Sequence, residues 1–504
     1  MRIKINENEY WWGISVSEGV DLPLGKDSDY TLSINGKSNN DQFAPFLVSS
    51  YGRYVYGENP FSAVFRDGYI TLDEVDGLNF SEGHGSLRGA YLAACEKHFR
   101  FTGELPDADF FLEPQYNTWI ELGTDQTSEN ILRYAHGIID HGLPAGILMI
   151  DGGWQEDYGV FEFNRRKIPD PKAMIDELHS LGFKVMVWVS PIVASAGTQY
   201  KLIRDKGFLC RDKNGEVAIR KWWSGFSAVL DFTNPAAVEW YHRQLSFLTD
   251  EYGVDGFKFD AGDRYFYADD DKIAVPAPAR VQTKYFNIVG EKYKLNEFRA
   301  AYDFGGRAIV SRLHDKDHSW VVRGLNALIP NTLAQGLLGY AYCCPDMVGG
   351  GEINCFNGAK ELDEELFVRW AEANALMGML QMSAAPWRVL SEKNASIVLS
   401  ALRLHAKYGE RFYELARHAA KTGEPITRHM EYVFPHKGYA KINDQFMLGD
   451  DILVAPVLEK GAVSREVVLP DGQWRAEDGE IFDGGRKITI DVPLERMPYF
   501  TKID

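Results

Sequence analysis

Between about residues 112 and 422, short apolar runs alternate with amphipathic stretches of helical period. That alternation constrains the fold more than any other feature of the chain, because strands separated by helix-length crossovers must pair in parallel. Residues 111–119, 147–150, 184–189 and 256–259 read as strands, with 309–313, 341–345 and 380–383 as later ones. Between them, 130–141 carries Ile131, Leu132, Ala135, Ile138 and Ile139 at helical spacing and is closed by Gly142. Asp170-Pro171 opens a second helix that runs to Leu181 and Gly182. Residues 236–252, 319–338, 364–377 and 396–419 have helical text as well. Repeated units of this size imply an α/β fold, a (β/α)8 TIM barrel.

The flanks have a different grammar. Before residue 111, the runs 10–16, 30–34, 54–56, 63–65 and 69–72 are separated by Gly, Asn and Asp, with Gly68 marking a hairpin and 89–100 a helix. After residue 423, the runs 445–448, 452–457, 466–469, 487–490 and 499–501 return to β spacing. The expected organisation is an N-terminal β-sandwich over 1–111 with no visible chemistry, the barrel over 112–422, and a C-terminal β-sandwich over 423–504.

Composition narrows the function. A net charge of −18 with no Lys/Arg-rich run argues against nucleic acid as a partner. No apolar run approaches the roughly 18–20 residues of a membrane helix, so no membrane span is expected. The opening MRIKINENEYWWG has no apolar signal core, which makes the cytoplasm the expected location. Cys95, Cys210, Cys343, Cys344 and Cys355 lack CxxC spacing and read as reduced, mostly buried thiols with no zinc site.

The residues at the strand ends carry the chemistry. In VDGFKFDAGD, Val254, Phe257 and Phe259 make an apolar strand and Asp260 stands at its tip. A lone Asp there is as readily a helix cap as a catalyst. Yet Trp119, Asp151, Trp188 and Asp346 also fall at strand ends, and a barrel gathers strand ends on one rim. Singly each reads as structural; together they read as a pocket, with Trp beside acids suited to the apolar faces of sugar rings. In RLHDKDHSW, Asp315 and Asp317 both follow a strand, and a helix is expected from about Trp320. One of the pair is expected to cap that helix and the other to face the cleft. Two carboxyls on a sugar-sized pocket are what glycoside hydrolysis needs.

The segments YNTWIELGTDQ, GFKVMVWVSPI, KWWSGFSAVLDFTNP, GVDGFKFDAG, RLHDKDHSW, PDMVGG and DQFMLGDDILVAPVLEKG follow one another over residues 116–499, about three quarters of the chain. In these the chain resembles glycoside hydrolase family 31, in the branch of the myogenesis-regulating glycosidase and bacterial α-galactosidases. The resemblance implies a retaining mechanism with Asp260 as nucleophile. It implies Asp315 as acid/base, five residues before an aromatic, although His314 stands where the family has Gly and Asp317 is the alternative. It also implies a pocket with Trp119, Trp223, Arg299, Asp346 and Asp151, the last in a motif where Gly152-Gly153 departs from the family text. The family's α-glucosidases have a Trp two positions before the nucleophile, where this chain has Lys258, and Arg-Asn-His where it has Gln381-Met382-Ser383.

A lysine there could donate to an axial hydroxyl that a flat indole would exclude, and it is a feature of the galactosidase-like branch. Its other reading is a cation paired with an acid behind the strand. The favoured function is therefore an exo-acting α-galactosidase needing no metal or organic cofactor. An α-glucosidase, α-xylosidase or transglycosylase is the alternative within the class, and a catalytically silent carbohydrate-binding protein the alternative outside it. The partner is an oligosaccharide or glycoside. The loops 262–278 and 348–361 are expected to shape the aglycone side, and a homo-oligomer is one arrangement left open.

Overall fold

Ile147–Ile150 and Lys184–Val189 are apolar runs whose side chains are buried on both faces, as a strand inside a helix-covered sheet requires. The computed structural model, which describes residues 1–34, 41–73, 76–357 and 362–503, sets them as the second and third of eight parallel barrel strands. The others are Gln115–Asn117 first, then Gly256–Phe259, Asn296–Phe298, Val310–Arg312, Cys343–Cys344 and Gln381–Met382. Each pairs with the next in chain order through the seventh, and the eighth returns to the first through Gln381 beside Gln115 and Met382 beside Tyr116. The seam between the seventh and eighth is crossed by the Val348 N–H, which donates to the Gln381 carbonyl at 2.9 Å.

The helix starts follow their sequence signals. The Asp170 side chain accepts from the Ala173 N–H ahead of helix Pro171–Ser180, and Thr127 does the same for Ser128–Asp140 through the Asn130 N–H. Three expectations fail. Residues 111–119 are not one strand: Asp109–Leu112 is a helical turn, the strand is Gln115–Asn117 alone, and Trp119 begins the short helix Trp119–Leu122. The fifth strand, Asn296–Phe298, has no apolar run to read: its inward residue Glu297 and its outward residue Asn296 are both polar. Residues 319–338 are helical only from Leu325: a 3₁₀ turn at Leu325–Ala327 leads into helix Leu328–Leu337. Before it the chain folds back on itself, with the Ser319 N–H on the Asp317 carbonyl and the Asp317 N–H on the Arg323 carbonyl. Gly324 makes this closure, since a Cβ there would lie 2.0 Å from the Ser319 carbonyl oxygen.

On the N-terminal side, Arg2–Lys4, Tyr69–Leu72, Ser62–Arg66 and Tyr30–Ser33 form one sheet. A second contains Tyr54–Gly57, Leu78–Ser81, Trp11–Ser15 and the wholly buried Gln42–Ser49. Ala301–Tyr302, from the loop after the fifth barrel strand, adds to this second sheet in parallel with Gln42 and Phe43. A further antiparallel sheet, Ile192–Ala194, Gly225–Val229 and Ile219–Trp222, stands above the third strand. The C-terminal residues make a six-stranded sheet and the ribbon Ser464–Leu469/Arg486–Asp491, with their own core around Trp474, Leu453 and Phe500. Among the described residues no helix is long and apolar enough to cross a membrane.

Helix Glu392–Thr422 runs 31 residues, and at Gly409 it packs on the backbone of Leu112, just before the first barrel strand. A Cβ there would sit 2.3 Å from the Leu112 carbonyl oxygen and 2.8 Å from its Cα, both backbone atoms that cannot swing away. Gly409→Ala gains about 1 kcal/mol of helix propensity and loses about 1–3 kcal/mol to overpacking. A lower melting temperature is expected; a higher one in thermal denaturation would mean that the helix can shift outward at no cost.

Candidate active site

The strand Gly256–Phe259 alternates as a barrel strand must. Phe257 and Phe259 point outward against Tyr293, Phe286 and Phe298, which leaves Lys258 pointing into the barrel. The strand ends at Asp260, followed by Ala261 in the left-handed region at φ +55°. Asp260 Oδ1 accepts from the Ala261 N–H at 2.8 Å and from Arg299 Nε at 2.7 Å, and Oδ2 accepts from Trp188 Nε1 at 2.9 Å. Burial opposes ionisation, but the charges of Arg299, Lys258 and Arg312 and the Trp188 N–H outweigh it. The carboxyl is thereby held well below the usual carboxylate range.

Arg299 has a second acid. Its Nη2 donates to Asp263 Oδ2, while Asp263 Oδ1 is buried without a partner among the described residues. One guanidinium thus serves two carboxylates, and Asp260 has two further donors while Asp263 has none from a side chain besides Arg299. Burial, against the pull of Arg299 and with the neighbouring Asp260 charge, pushes Asp263 up to about 7. Trp223, at the turn between Ile219–Trp222 and Gly225–Val229, lays its ring 5.5 Å from the Arg299 guanidinium carbon.

Asp315 faces the same cavity from beyond the sixth strand. Its Oδ1 accepts from Arg312 Nη1 at 2.9 Å, and that nitrogen also reaches Asp346 Oδ1 at 2.8 Å. Arg312 Nε lies 3.4 Å from Glu297 Oε1, so this buried guanidinium is divided among three carboxylates. Gly351 packs on Asp315 so closely that a Cβ would stand 2.7 Å from Asp315 Oδ1. Asp317 also borders the cavity, but its Oδ2 is taken by Arg323 Nε at 3.0 Å. Neither Asp315 nor Asp317 caps a helix at Trp320, contrary to the expectation, because that segment is the folded-back loop. The Trp320 indole N–H is engaged by Asp363 at 3.0 Å.

The cavity holds about 800 Å³, within the range of small-ligand clefts. Trp119, Asp151, Trp188, Trp223, Lys258, Asp260, Arg299 and Asp315 all line it. Trp119 is fixed by its indole N–H on the Gly351 carbonyl at 3.0 Å. Lys258 is indeed paired with an acid, but the acid is Asp151, at 2.6 Å, and both stand in the cavity lining. Burial and the Arg312 charge work against the Lys258 charge, and Asp151, with Asp260 and Glu297, more than restores it, raising the ammonium above the ordinary lysine value.

Asp346 is the exception among the expected pocket residues. It is completely buried behind the cavity, where it accepts from Arg312, the Lys316 N–H and the Gly351 N–H, so it supports the Asp315 loop and does not line the pocket. Burial, partly offset by Arg312, raises it to about 6. Of the two expected aglycone loops, Tyr265 and residues 351–354 border the cavity, while 358–361 lie outside the described residues. Among the described residues no cluster of three His, Cys, Asp or Glu side chains is arranged to hold a metal.

Residues 115–415 match the TIM-barrel domain of glycosyl hydrolases family 31, and residues 423–504 match that family's C-terminal domain. The chain belongs to glycoside hydrolase family 31. Within family 31 it is 33% identical to the mouse myogenesis-regulating glycosidase over 416 residues, 80% of this chain and 58% of that protein. It is 26% identical to the α-xylosidase XylQ of Lactiplantibacillus pentosus over 474 residues, 88% of this chain and 60% of that one. The chain therefore spans less than two thirds of either curated relative. Among solved structures, the family 31 dextranase of Flavobacterium johnsoniae, complexed with glucose, shares the fold at a TM-score of 0.85 and 22% identity, over 100% of this chain and 66% of that one.

Sequence reading missed Asp263, Glu297, Arg312 and the pair Asp41-Gln42. Asp41 binds His314 through both its backbone N–H, at 2.7 Å, and its Nδ1, at 2.6 Å. Gln42 Nε2 donates to the carbonyls of Arg299 at 2.5 Å and Arg312 at 3.0 Å. The N-terminal segment, in which no chemistry was expected, thus braces the loops that carry the site. Asp263 did have a signal, a second acid three residues after the first in DAGD.

Because the folded state raises Asp263 above its unfolded value of 3.8 to about 7, its contribution to stability is complete below about pH 4 and is lost as pH rises towards 7. Asp260, which is lowered, acts in the opposite direction and only below its unfolded value. Asp263→Asn should remove one proton's worth of slope, a tenfold change in the folding constant per pH unit, between pH 4 and 7. Denaturant unfolding at stepped pH measures it, and an unchanged slope would mean that Asp263 is ionised throughout.

Proposed function

We propose that the chain is an exo-acting, retaining α-glycosidase that releases terminal α-linked galactose. The observation that carries this reading is the Asp260 carboxylate. It is held ionised by Arg299, Trp188 and the Ala261 N–H in a cavity that Asp315 also lines. A nucleophile must be charged and aimed, and this one is both.

In the first half-reaction Asp260 attacks the anomeric carbon while Asp315 gives its proton to the departing glycosidic oxygen, leaving a β-galactosyl ester on Asp260. As the ester forms, the charge on Asp260 disappears and Arg299 keeps its hydrogen bond to Asp263. In the second half-reaction Asp315 takes a proton from water, which attacks the same carbon from the vacated side and releases α-galactose. Trp119 and Trp223 offer flat apolar walls to the ring. Galactose is favoured by Lys258 and Asp151, which present an ammonium and a carboxylate on the cavity floor as a donor and acceptor for an axial hydroxyl. The name of the α-xylosidase relative makes xylose the sugar to test against it.

A panel of p-nitrophenyl α-glycosides tests the substrate: the galactoside should be hydrolysed well ahead of the glucoside and xyloside, and the reverse order would remove galactose. Asp260→Ala should lower kcat by about 10³-fold or more while sugar binding survives. Binding by a wild-type protein that turns over none of these substrates would favour a silent carbohydrate-binding protein. Asp315→Ala should lose kcat/KM on poor leaving groups and keep much of it on activated aryl galactosides, whose departure needs little protonation, while kcat falls on both because hydrolysis of the ester loses its base. Asp317→Ala should behave like wild type on both, and a leaving-group effect in Asp317→Ala would transfer the acid/base role to it.

A further inference from the structure

Asp263 is a completely buried carboxyl to which the two half-reactions assign no part. It follows the strand Gly256–Phe259, three residues beyond Asp260, and does not line the cavity. Arg299 Nη2 donates to its Oδ2, while its Oδ1 has no partner among the described residues. The same guanidinium donates from Nε to Asp260 Oδ1 at 2.7 Å and lies under the Trp223 ring. Among the described residues, the side-chain route from Asp263 to the substrate therefore runs through Arg299 to the nucleophile.

A guanidinium divided between two carboxylates stabilises each of them less than it would stabilise one alone. With Asp263 ionised, Asp260 is the less stabilised anion and the better nucleophile. With Asp263 protonated, Arg299 serves Asp260 alone, and Asp260 is the better leaving group. The two half-reactions ask opposite things of Asp260, loss of its charge in the first and recovery of it in the second. Burial, against the pull of Arg299, sets Asp263 between its two states near neutrality, at about 7. Besides Arg299 and Asp260, the groups that face it are Asp41, beside the N-terminal strand Gln42–Ser49, and Tyr265 and Tyr267 of its own loop. Burial opposes ionisation of Asp41, but His314 and Lys316 outweigh it and hold that carboxyl well below the usual range. Burial pushes both phenols above their ordinary value. Of this group, Asp263 is the member that changes charge around neutral pH.

We propose that Asp263 is a positioning residue that acts through the guanidinium it shares with Asp260: its ionised form speeds formation of the glycosyl ester and slows its hydrolysis. The proposal rests on the reading of Asp260 as the nucleophile of a retaining enzyme, and it does not depend on which sugar the cavity takes. Asp263 passes no proton to the substrate, and Asp315 keeps the acid/base role.

The test uses 2,4-dinitrophenyl α-galactoside, whose leaving group departs with little protonation, so that kcat/KM reports ester formation apart from the acid role of Asp315. Between about pH 6 and pH 8, kcat/KM of wild type should rise about fivefold or more as Asp263 ionises. The rise should vanish in Asp263→Asn, which keeps an oxygen for Arg299 Nη2 but carries no charge. Once a pre-steady-state burst shows the ester accumulating, kcat reports its hydrolysis. The ratio of kcat at the upper pH to that at the lower should then be about threefold larger in Asp263→Asn than in wild type. A residue that only braced the fold would lower both constants at every pH and leave the step in place. Asp346, which also titrates near this range, is present in both proteins, so a step that belongs to it survives the substitution. An unchanged step in Asp263→Asn, or a loss of the rise in kcat/KM with no opposite change in kcat, overturns the proposal. If Asp263→Asn does not fold, Asp263→Ser makes the same comparison. If neither folds, wild type decides: a rise in kcat/KM upholds the proposal and a flat profile overturns it. If wild type hydrolyses no α-galactoside, the galactose reading has failed, and the same profiles are measured on the dinitrophenyl α-glucoside or α-xyloside. A covalent adduct mapped away from Asp260 would instead overturn the nucleophile, and turnover of none of the three sugars would remove both readings.

Discussion

Two guanidiniums stand side by side at the mouth of the barrel, and the arrangement of the site follows from neutralising them. Parallel register sets Phe259 beside Phe298 and Phe298 beside Ser311, so the next residues, Asp260, Arg299 and Arg312, fall in a row across three strand ends. Two buried cations on neighbouring strands would repel each other and lose their hydration, at a cost of several kcal/mol each. Carboxylates make the pair tolerable: Asp260 and Asp263 around Arg299, and Asp315, Asp346 and Glu297 around Arg312. Lys258, two residues before Asp260, and Asp151, beyond the second strand, extend the same alternation. The carboxylates proposed to do the chemistry are thus the cavity-facing members of a structural charge network, and Arg299, Lys258 and Arg312 hold Asp260 ionised.

The network is not a property of the barrel alone. Gln42 holds the carbonyls of both arginines, and its own Oε1 is held by Gln335 Nε2 at 2.7 Å. The adjacent Asp41 holds His314, next to Asp315, and Ala301–Tyr302 extends the N-terminal sheet. Shifting the N-terminal sheet would move Arg299 and Arg312 together. Gln42 thereby ties the two charged strand ends to one N-terminal strand.

How much of this was legible in the sequence depended on polarity. Ile147–Ile150, Lys184–Val189 and Gly256–Phe259 are found to the residue, because apolar strands covered by helices announce themselves. Asn296–Phe298 was invisible for the opposite reason: Asn296 and Glu297 are buried but polar, Asn296 bonded to the Tyr293 and Ala308 carbonyls and Glu297 to Gln381 of the eighth strand, partners that no apolar pattern reveals. The loop at 319–324 misled because Val321, Val322 and Leu325 have helical spacing, while the contacts that fold it back involve backbone groups and Gly324. Asp346 was placed on the rim by its strand-end position, yet its side chain turns inward to Arg312. Strand ends locate a site, but the direction of a side chain follows from the charges it must meet.

The central claim is that Asp260, held ionised by Arg299 and Trp188, carries the covalent intermediate. It is tested most directly by trapping the protein with 5-fluoro-α-galactosyl fluoride and mapping the adduct by peptide mass spectrometry. The account predicts one fluorogalactosyl group on the peptide containing Asp260, with turnover resuming as the ester hydrolyses. An adduct on Asp315, or undiminished turnover with no adduct on any carboxylate, would contradict it.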